Sequence, residues 1–373
     1  MNGAPWDDPA LYEDLGEDGD RAARRELLRR LVEAGVSRAE LRAAVEEERV
    51  TALPAELALG GETPHTLTHV ARSAGLDPAF LRQVLLALGR PNPRRGERAF
   101  TDADIEEARI LRSFVDAGLP RKDIVGVARV LGHGMANTAV AIRDLVADAL
   151  LKRGDAEHDL AFRYAEAAER LTPLLSPLLG HELLAHLREV VRREAVTQAE
   201  REMGSIRGAR EVAVAFADLV DFTKLGAEVQ PDELGGVATR LSDITVAIAP
   251  PRVQLVKTIG DAVMLASADV AALLDTVLKL VEATEKEGPS FPKLRAGVAY
   301  GPAVTRTGDW FGAPVNLASR LTDAAKPGTV HVSAEAQAEL VDRYDWPRRK
   351  RRALKGLGRV SYFRLNPQTP SAK

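Results

Sequence analysis

Apolar residues recur three and four positions apart along the first half of the chain and gather into short runs along the second, so two kinds of element succeed one another. Over residues 21–202 the spacing predicts helices almost throughout, with breaks at Gly35, Pro54, Gly75, Gly89, the Gly132-His133-Gly134 turn and Gly154. From Val212 onward, runs of strand length at 212–217, 253–259, 262–266, 294–299, 329–332 and 360–365 alternate with helical segments, the pattern of a domain that mixes helix and sheet. The join is predicted as one long helix from His181 to near Met203. Leu183, Leu184, Leu187, Val190 and Val191 form a stripe on it opposite Arg188, Arg192 and Arg193. Such a stripe packs on its own domain or against a partner chain.

Composition narrows this picture. With 373 residues, 45% apolar and 28% charged, the chain can bury a sizeable core and is expected to hold two domains. No apolar run approaches the roughly 18 residues of a membrane span. Residues 1–20 have neither a basic n-region nor an apolar h-region, so a cytoplasmic protein is expected. The absence of cysteine excludes disulfides, thiolate metal sites and thiol nucleophiles, leaving oxygen and imidazole to hold any metal. A net charge of -3 argues neither for a polyanion-binding protein nor against a local basic patch. Asp7, Asp8, Glu13, Asp14, Glu17, Asp18 and Asp20 all precede Arg21, which reads as an acidic, disordered tail over 1–20; residues 367–373 read as a frayed tail.

The candidate chemistry lies in the second half. Lys257-Thr258-Ile259-Gly260-Asp261 is a strand, a tight turn and a carboxylate, and Phe216-Ala217-Asp218 ends an earlier strand. Carboxylates delivered by two strand ends can hold a pair of divalent cations about 4 Å apart. Downstream, Asp309, Asn316 and Arg320 stand at spacings of seven and four, and the last two share one face of a helix. Phe222-Thr223 opens a turn into a helix whose N–H groups can receive phosphate oxygens. No Gly-rich Walker A run and no Gly-Lys dipeptide occur, which disfavours a P-loop enzyme. Lys257 is a pure donor and ionised Asp309 a pure acceptor. Adenine, with an acceptor N1 beside a donor amino group, matches that pair, and guanine opposes it.

These motifs, in this order, resemble the catalytic domain of class III nucleotide cyclases over residues 208–366. The resemblance implies an α+β fold, a ferredoxin-like mixed sheet with flanking helices, preceded by an all-α regulatory domain. It implies adenylate cyclase activity, ATP to 3',5'-cyclic AMP and pyrophosphate, with Asp218 and Asp261 as ligands of two Mg2+ or Mn2+ ions. Lys257 and Asp309 would read the base, Asn316 orient the ribose and Arg320 meet charge on the α-phosphate. Lys355, in Leu354-Lys355-Gly356-Leu357-Gly358, resembles the triphosphate-binding lysine, although five basic residues at 348–352 compete for that role. Family geometry splits the site between the two chains of a homodimer, with Asp218 and Asp261 from one and the remaining groups from the other.

Within the helical half, read as a regulatory domain over 21–180 with a linker helix over 181–207, residues 66–132 resemble the winged-helix domain of MerR-type regulators. Asp77-Pro78 opens the second helix, Gly89 closes it, Pro93-Arg94-Arg95-Gly96 resembles a wing, and Thr101 begins a third helix with a capping-box pattern. Leu67, Val70, Leu81, Val84 and Leu85 are the expected core. Arg82, Gln83, Arg90, Arg94, Arg95 and Arg98 are available to DNA, but acidic neighbours prevent a strongly basic face, so regulation is the preferred reading. The competing one is a DNA-binding regulator that uses the cyclase-like domain to dimerise or to sense a nucleotide. Six of the seven histidines (His65, His69, His133, His158, His181 and His186) precede residue 205, which suits pH control and equally suits scattered surface histidines.

Overall fold

The computed structural model describes residues 4–13, 15, 21–60, 63–152, 154–193, 208–306 and 308–367. It divides into two units, Met1–Val190 and Val191–Lys373.

In the first unit, α1 (Arg21–Glu33), α2 (Arg38–Glu46) and α3 (Leu53–Gly60) surround Leu11, Leu27, Leu28, Leu31 and Leu41, all buried. Leu11 belongs to the segment expected to be a disordered tail. Residues Pro5–Asp7 and Pro9–Tyr12 instead form two short 3-10 turns packed on this core. Asp8, 6% exposed, takes bonds from Arg38 at 2.9 Å and Arg42 at 2.7 Å. The two guanidiniums, Arg38 first, hold its carboxyl well below the usual range, at about 2. Asp8 therefore serves specific ion pairs, which a charge count cannot reveal. Asp14, Glu17, Asp18 and Asp20 lie outside the described residues.

A second core follows. β1 (His65–Thr66) leads into α4 (Leu67–Ser73) and α5 (Pro78–Ala87), and β2 (Arg98–Phe100) returns antiparallel to β1 before α6 (Asp102–Asp116). Leu67, Val70, Leu81, Val84 and Leu85 are all buried, joined by Phe100 and Ile105. Thr101 and Asp104 cap α6 reciprocally. The unit is thus largely helical, with one antiparallel pair of short strands, β1 and β2.

Helix α7 (Arg121–Leu150) runs without interruption through the expected Gly132-His133-Gly134 turn. A Cβ on Gly132 would lie 2.5 Å from the Leu88 backbone, so this glycine permits close packing and breaks nothing. Likewise α8 (Glu157–Arg193) begins well before His181 and passes through Pro173 and Pro177. The expected linker helix is the end of this longer one, and its continuation to Met203 lies outside the described residues. Its start is pinned by Arg24, 3% exposed, which donates to both Glu157 carboxylate oxygens at 2.7 Å and to the Leu11 carbonyl at 2.9 Å.

The second unit is built on an eight-stranded mixed sheet. Its strands are β3 (Arg210–Leu219), β4 (Gln254–Ile259), β5 (Ala262–Ser267), β6 (Leu294–Arg306), β7 (Asp309–Gly312), β8 (Val330–Ser333), β9 (Lys350–Leu354) and β10 (Gly358–Leu365). They lie in the order β4-β5-β3-β6-β8-β10-β9, with β7 folded back on β6; only β6 and β8 run parallel. Two strands had no apolar run to announce them. β7 coincides with the Asp309 motif, and β9 is mostly the basic run Lys350-Arg351-Arg352, which an exposed strand tolerates.

Alternation along β3 decides the two faces. Ala213, Ala215 and Ala217 meet α10 (Pro231–Ile248), α11 (Val270–Lys286) and α13 (Ala334–Ala338) in the larger core. Leu273, Leu274, Val277, Leu280 and Val281 of α11 are 0% exposed, each burial worth about 1.5–3 kcal/mol. Val212 and Val214 face the other way, toward α12 (Ala313–Ala324). That helix lies directly on β6, since a Cβ on Gly297 would stand 2.4 Å from the Ala318 carbonyl oxygen. Among the described residues no helix is long and apolar enough to cross a membrane.

Candidate active site

Antiparallel register brings the two strand-end carboxylates together. Asp218 pairs with Ala262 across β3 and β5, and Asp261 immediately precedes Ala262 in the β4–β5 turn. The Leu219 N–H donates to the Asp261 carbonyl at 3.2 Å, closing that end of the ladder. Burial raises the Asp261 carboxyl above its ordinary value, and the Asp218 charge beside it raises it further. A divalent cation beside the two carboxylates would offset that repulsion. Among the described residues no cluster of three or more His, Cys, Asp or Glu could hold a metal. The donor set here is thus two carboxylates, to be completed by main-chain, water or phosphate oxygens, which suits a hard divalent ion.

Arg295 was missed in the sequence. It stands opposite Asp218 in the β3–β6 register and donates to Asp218 Oδ2 through Nη2 at 2.6 Å and Nε at 3.0 Å. Its Nη1 reaches the Asp323 carbonyl of α12 at 3.4 Å. The available signal was a lone charge inside the apolar run 294–299.

Lys257 and Asp309, 52 positions apart, form a direct ion pair through Lys257 Nζ and Asp309 Oδ2. Asp309 Oδ1 also accepts from the Trp310 N–H at 2.9 Å, which fixes the carboxylate plane. Both residues are half-buried, at the edge of the apolar cluster that includes Met264, Val256 and Trp310. Lys257 keeps further N–H donors and Asp309 further lone pairs for a ligand.

Asn316 and Arg320 are exposed on one face of α12, and Arg320 Nη1 donates to Asp323 Oδ2 at 3.0 Å. Lys355 sits exposed in the β9–β10 turn. Phe222 begins the short helix α9 (Phe222–Leu225) and packs against the larger core, while Thr223 is exposed. Asp221, in the left-handed region at φ 61, sets the sharp entry to that turn. The site residues therefore fall into groups within one chain: the Asp218–Asp261 pair with Arg295, the Lys257–Asp309 pair, and the exposed face of α12.

In the N-terminal unit Arg94, Arg95 and Arg98 are exposed, but Arg90 is taken by Asp104 and Glu107. His65 Nε2 lies 2.7 Å from Asp102 Oδ1, and its ring stacks on His69 with centroids 4.7 Å apart.

A family model described as the adenylate cyclase regulatory domain matches residues 7–191, and one described as the adenylate and guanylate cyclase catalytic domain matches 205–367. A protein of Mycobacterium tuberculosis named as a pH-sensitive adenylate cyclase is 39% identical over 96% of this chain and 92% of its own. An adenylate cyclase of Streptomyces coelicolor is 33% identical over 78% of this chain and 75% of its own. The crystal structure of an adenylyl cyclase from P. aeruginosa covers 42% of this chain and 95% of its own, at 21% identity and a TM-score of 0.39. The chain belongs to the class III adenylate cyclases, with their regulatory domain ahead of the catalytic one. A nucleotide substrate and divalent metal follow from that membership.

Proposed function

We propose that this chain converts ATP to 3',5'-cyclic AMP and pyrophosphate at sites shared between two copies, under the control of its N-terminal domain. The observation that carries the reading is the Asp218–Asp261 pair, two carboxylates brought together at adjacent strand ends with one held above its ordinary pKa. Mg2+ or Mn2+ bound there would lower the pKa of the attacking ribose hydroxyl and offset the triphosphate charge. Asp218 and Asp261 hold the metal. Lys257 donates to adenine N1 and Asp309 accepts from the adenine amino group. Asn316 orients the ribose, and Arg320 stabilises charge on the α-phosphate as pyrophosphate leaves. Lys355 and the N–H groups of Phe222 and Thr223 bind the triphosphate oxygens.

Exposure of Asn316, Arg320 and Lys355 supports a site completed by a second copy. The named pH sensitivity of the 39% identical relative, which matches both domains, supports pH as the controlling signal. The test is to incubate the chain with ATP or GTP and either metal and to assay cyclic products. Cyclic AMP from ATP is the expected result; no cyclic product, or cyclic GMP in preference, would refute it.

A further inference from the structure

Asn316, Arg320 and Asp323 follow one another at spacings of four and three, so they lie along one face of α12. The last of them breaks a local rule. Asp323 stands in the final turn, where the helix dipole disfavours an anion and where α12 has no basic residue of its own. Its side chain is 57% exposed, so burial does not account for it either. What it does hold is Arg320, whose Nη1 donates to Asp323 Oδ2 at 3.0 Å. A residue set against local preference with no packing gain points to a role in the site.

The turn that carries Asp323 is tied to the sheet. Carbonyls at a helix end need donors from outside it, and two strands supply them here. Arg295 of β6, which holds Asp218 through Nη2 and Nε, reaches the Asp323 carbonyl through Nη1 at 3.4 Å. Arg352 of β9 donates to the Ala324 carbonyl at 3.3 Å. Thr322 Oγ1 stands 3.1 Å from the Phe216 carbonyl of β3. The backbone of Asp323 is therefore fixed. Arg320 is the opposite case, a long and flexible side chain that is 43% exposed.

We infer that Asp323 is a positioning residue for cyclisation: its carboxylate takes one N–H of Arg320 and so aims the rest of the guanidinium at the α-phosphate. The inference rests on the role proposed for Arg320. A guanidinium carries five N–H donors, so the bond to Asp323 leaves the others for the phosphate. Groups that meet developing charge act best when already in place, and a displacement of about 1 Å can cost a hundredfold in rate. Because Arg320 acts on charge that develops in the transition state, its misplacement lowers kcat and leaves KM nearly unchanged.

The experiment compares full-length Asp323→Ala, which removes the acceptor, with Asp323→Asn, which keeps an acceptor oxygen without the charge, and with Arg320→Ala. Asp323→Ala is expected to lose about tenfold in kcat with KM for ATP within about threefold, and Asp323→Asn to recover part of it. Its melting temperature should not fall, since the change takes an anion away from a helix C-terminus. A kcat at or above that of the unchanged chain, a rise in KM at unchanged kcat, or equal losses in the two Asp323 variants would overturn the inference. So would a melting temperature that falls together with kcat, because Asp323 would then serve the fold. Arg320→Ala separates the two readings. If it retains kcat, the assignment of Arg320 fails and the inference with it; if it loses kcat while Asp323→Ala does not, only the role of Asp323 fails.

Discussion

The two units treat histidine in opposite ways. The catalytic unit has one, His331, sealed under α12 and held neutral down to about 4, chiefly by burial and then by Arg364 and Lys350. The N-terminal unit has the other six, among them the stacked His65 and His69 and the exposed His133, His181 and His186. Imidazole in the catalytic unit therefore does not change charge near neutrality. A pH response carried by histidine has to enter through the other unit. The contrast makes the proposed catalytic groups and any pH response carried by histidine separable by mutation.

The sharpest break in that comparison comes from the catalytic side. Asp218→Ala, Asp261→Ala and Arg320→Ala should each abolish measurable activity with folding retained. An arginine in such a role is worth roughly 10³ to 10⁵ in rate. Mixing Asp261→Ala chains with Arg320→Ala chains should restore one intact site per heterodimer. Assays after chain exchange check this, and no recovery at all would refute a shared site.

A smaller loss is expected at the base. Lys257→Glu combined with Asp309→Cys removes both groups matched to adenine, and ATP turnover should fall about a hundredfold or more. The direct Lys257–Asp309 ion pair means that each residue also orders the other, so the single variants should not be additive. Competition between ATP and GTP is the measurement, and unchanged discrimination would show that these residues do not read the base.

How much of this was legible in the chain depended on where each signal lies. Strand ends announce themselves because apolar runs stop at polar residues, so Asp218, Asp261 and six of the strands could be read directly. Asn316 and Arg320 followed from helical spacing. Arg295 did not, since its contact depends on register with a residue 77 positions away. In the N-terminal unit Gly132 looked like a turn, and only the Leu88 backbone pressed against it explains why the helix continues. The acidic start misled for a related reason: Asp8 is defined by Arg38 and Arg42, partners that local composition does not identify.

His331 also gives a stability test with a definite sign. Its folded pKa of about 4 lies below the ordinary 6.5, so the unfolded chain binds a proton first as pH falls. The associated stability is fully present above about pH 6.5 and is lost as pH drops toward 4, amounting to about 3 kcal/mol. Arg364, Lys350 and Arg352 are the charged groups that oppose its protonation. Urea unfolding at pH 7 and 4.5 should show a weaker pH dependence in His331→Gln than in the unchanged chain. Equal dependences would mean that this imidazole is not held neutral.

The smallest effect, and the one that most sharpens the comparison, is on the pH profile of activity. Every proposed catalytic group lies within residues 208–366, so the preceding domain is unnecessary for the chemistry itself. A site completed by a second chain is readily tuned, because small relative displacements are expensive in rate. If protonation of the N-terminal histidines biases that arrangement, the full chain should change activity severalfold between about pH 5.5 and 8. A chain beginning at Ser205 should lack that component, keeping only the dependence common to both. The control is that each form is dimeric at both pH values. His65→Gln with His69→Gln in the full chain then asks whether the stacked pair beside Asp102 contributes, by flattening part of the difference. Superimposable profiles with equal specific activities would remove the N-terminal unit from pH control and leave its histidines as ordinary surface residues.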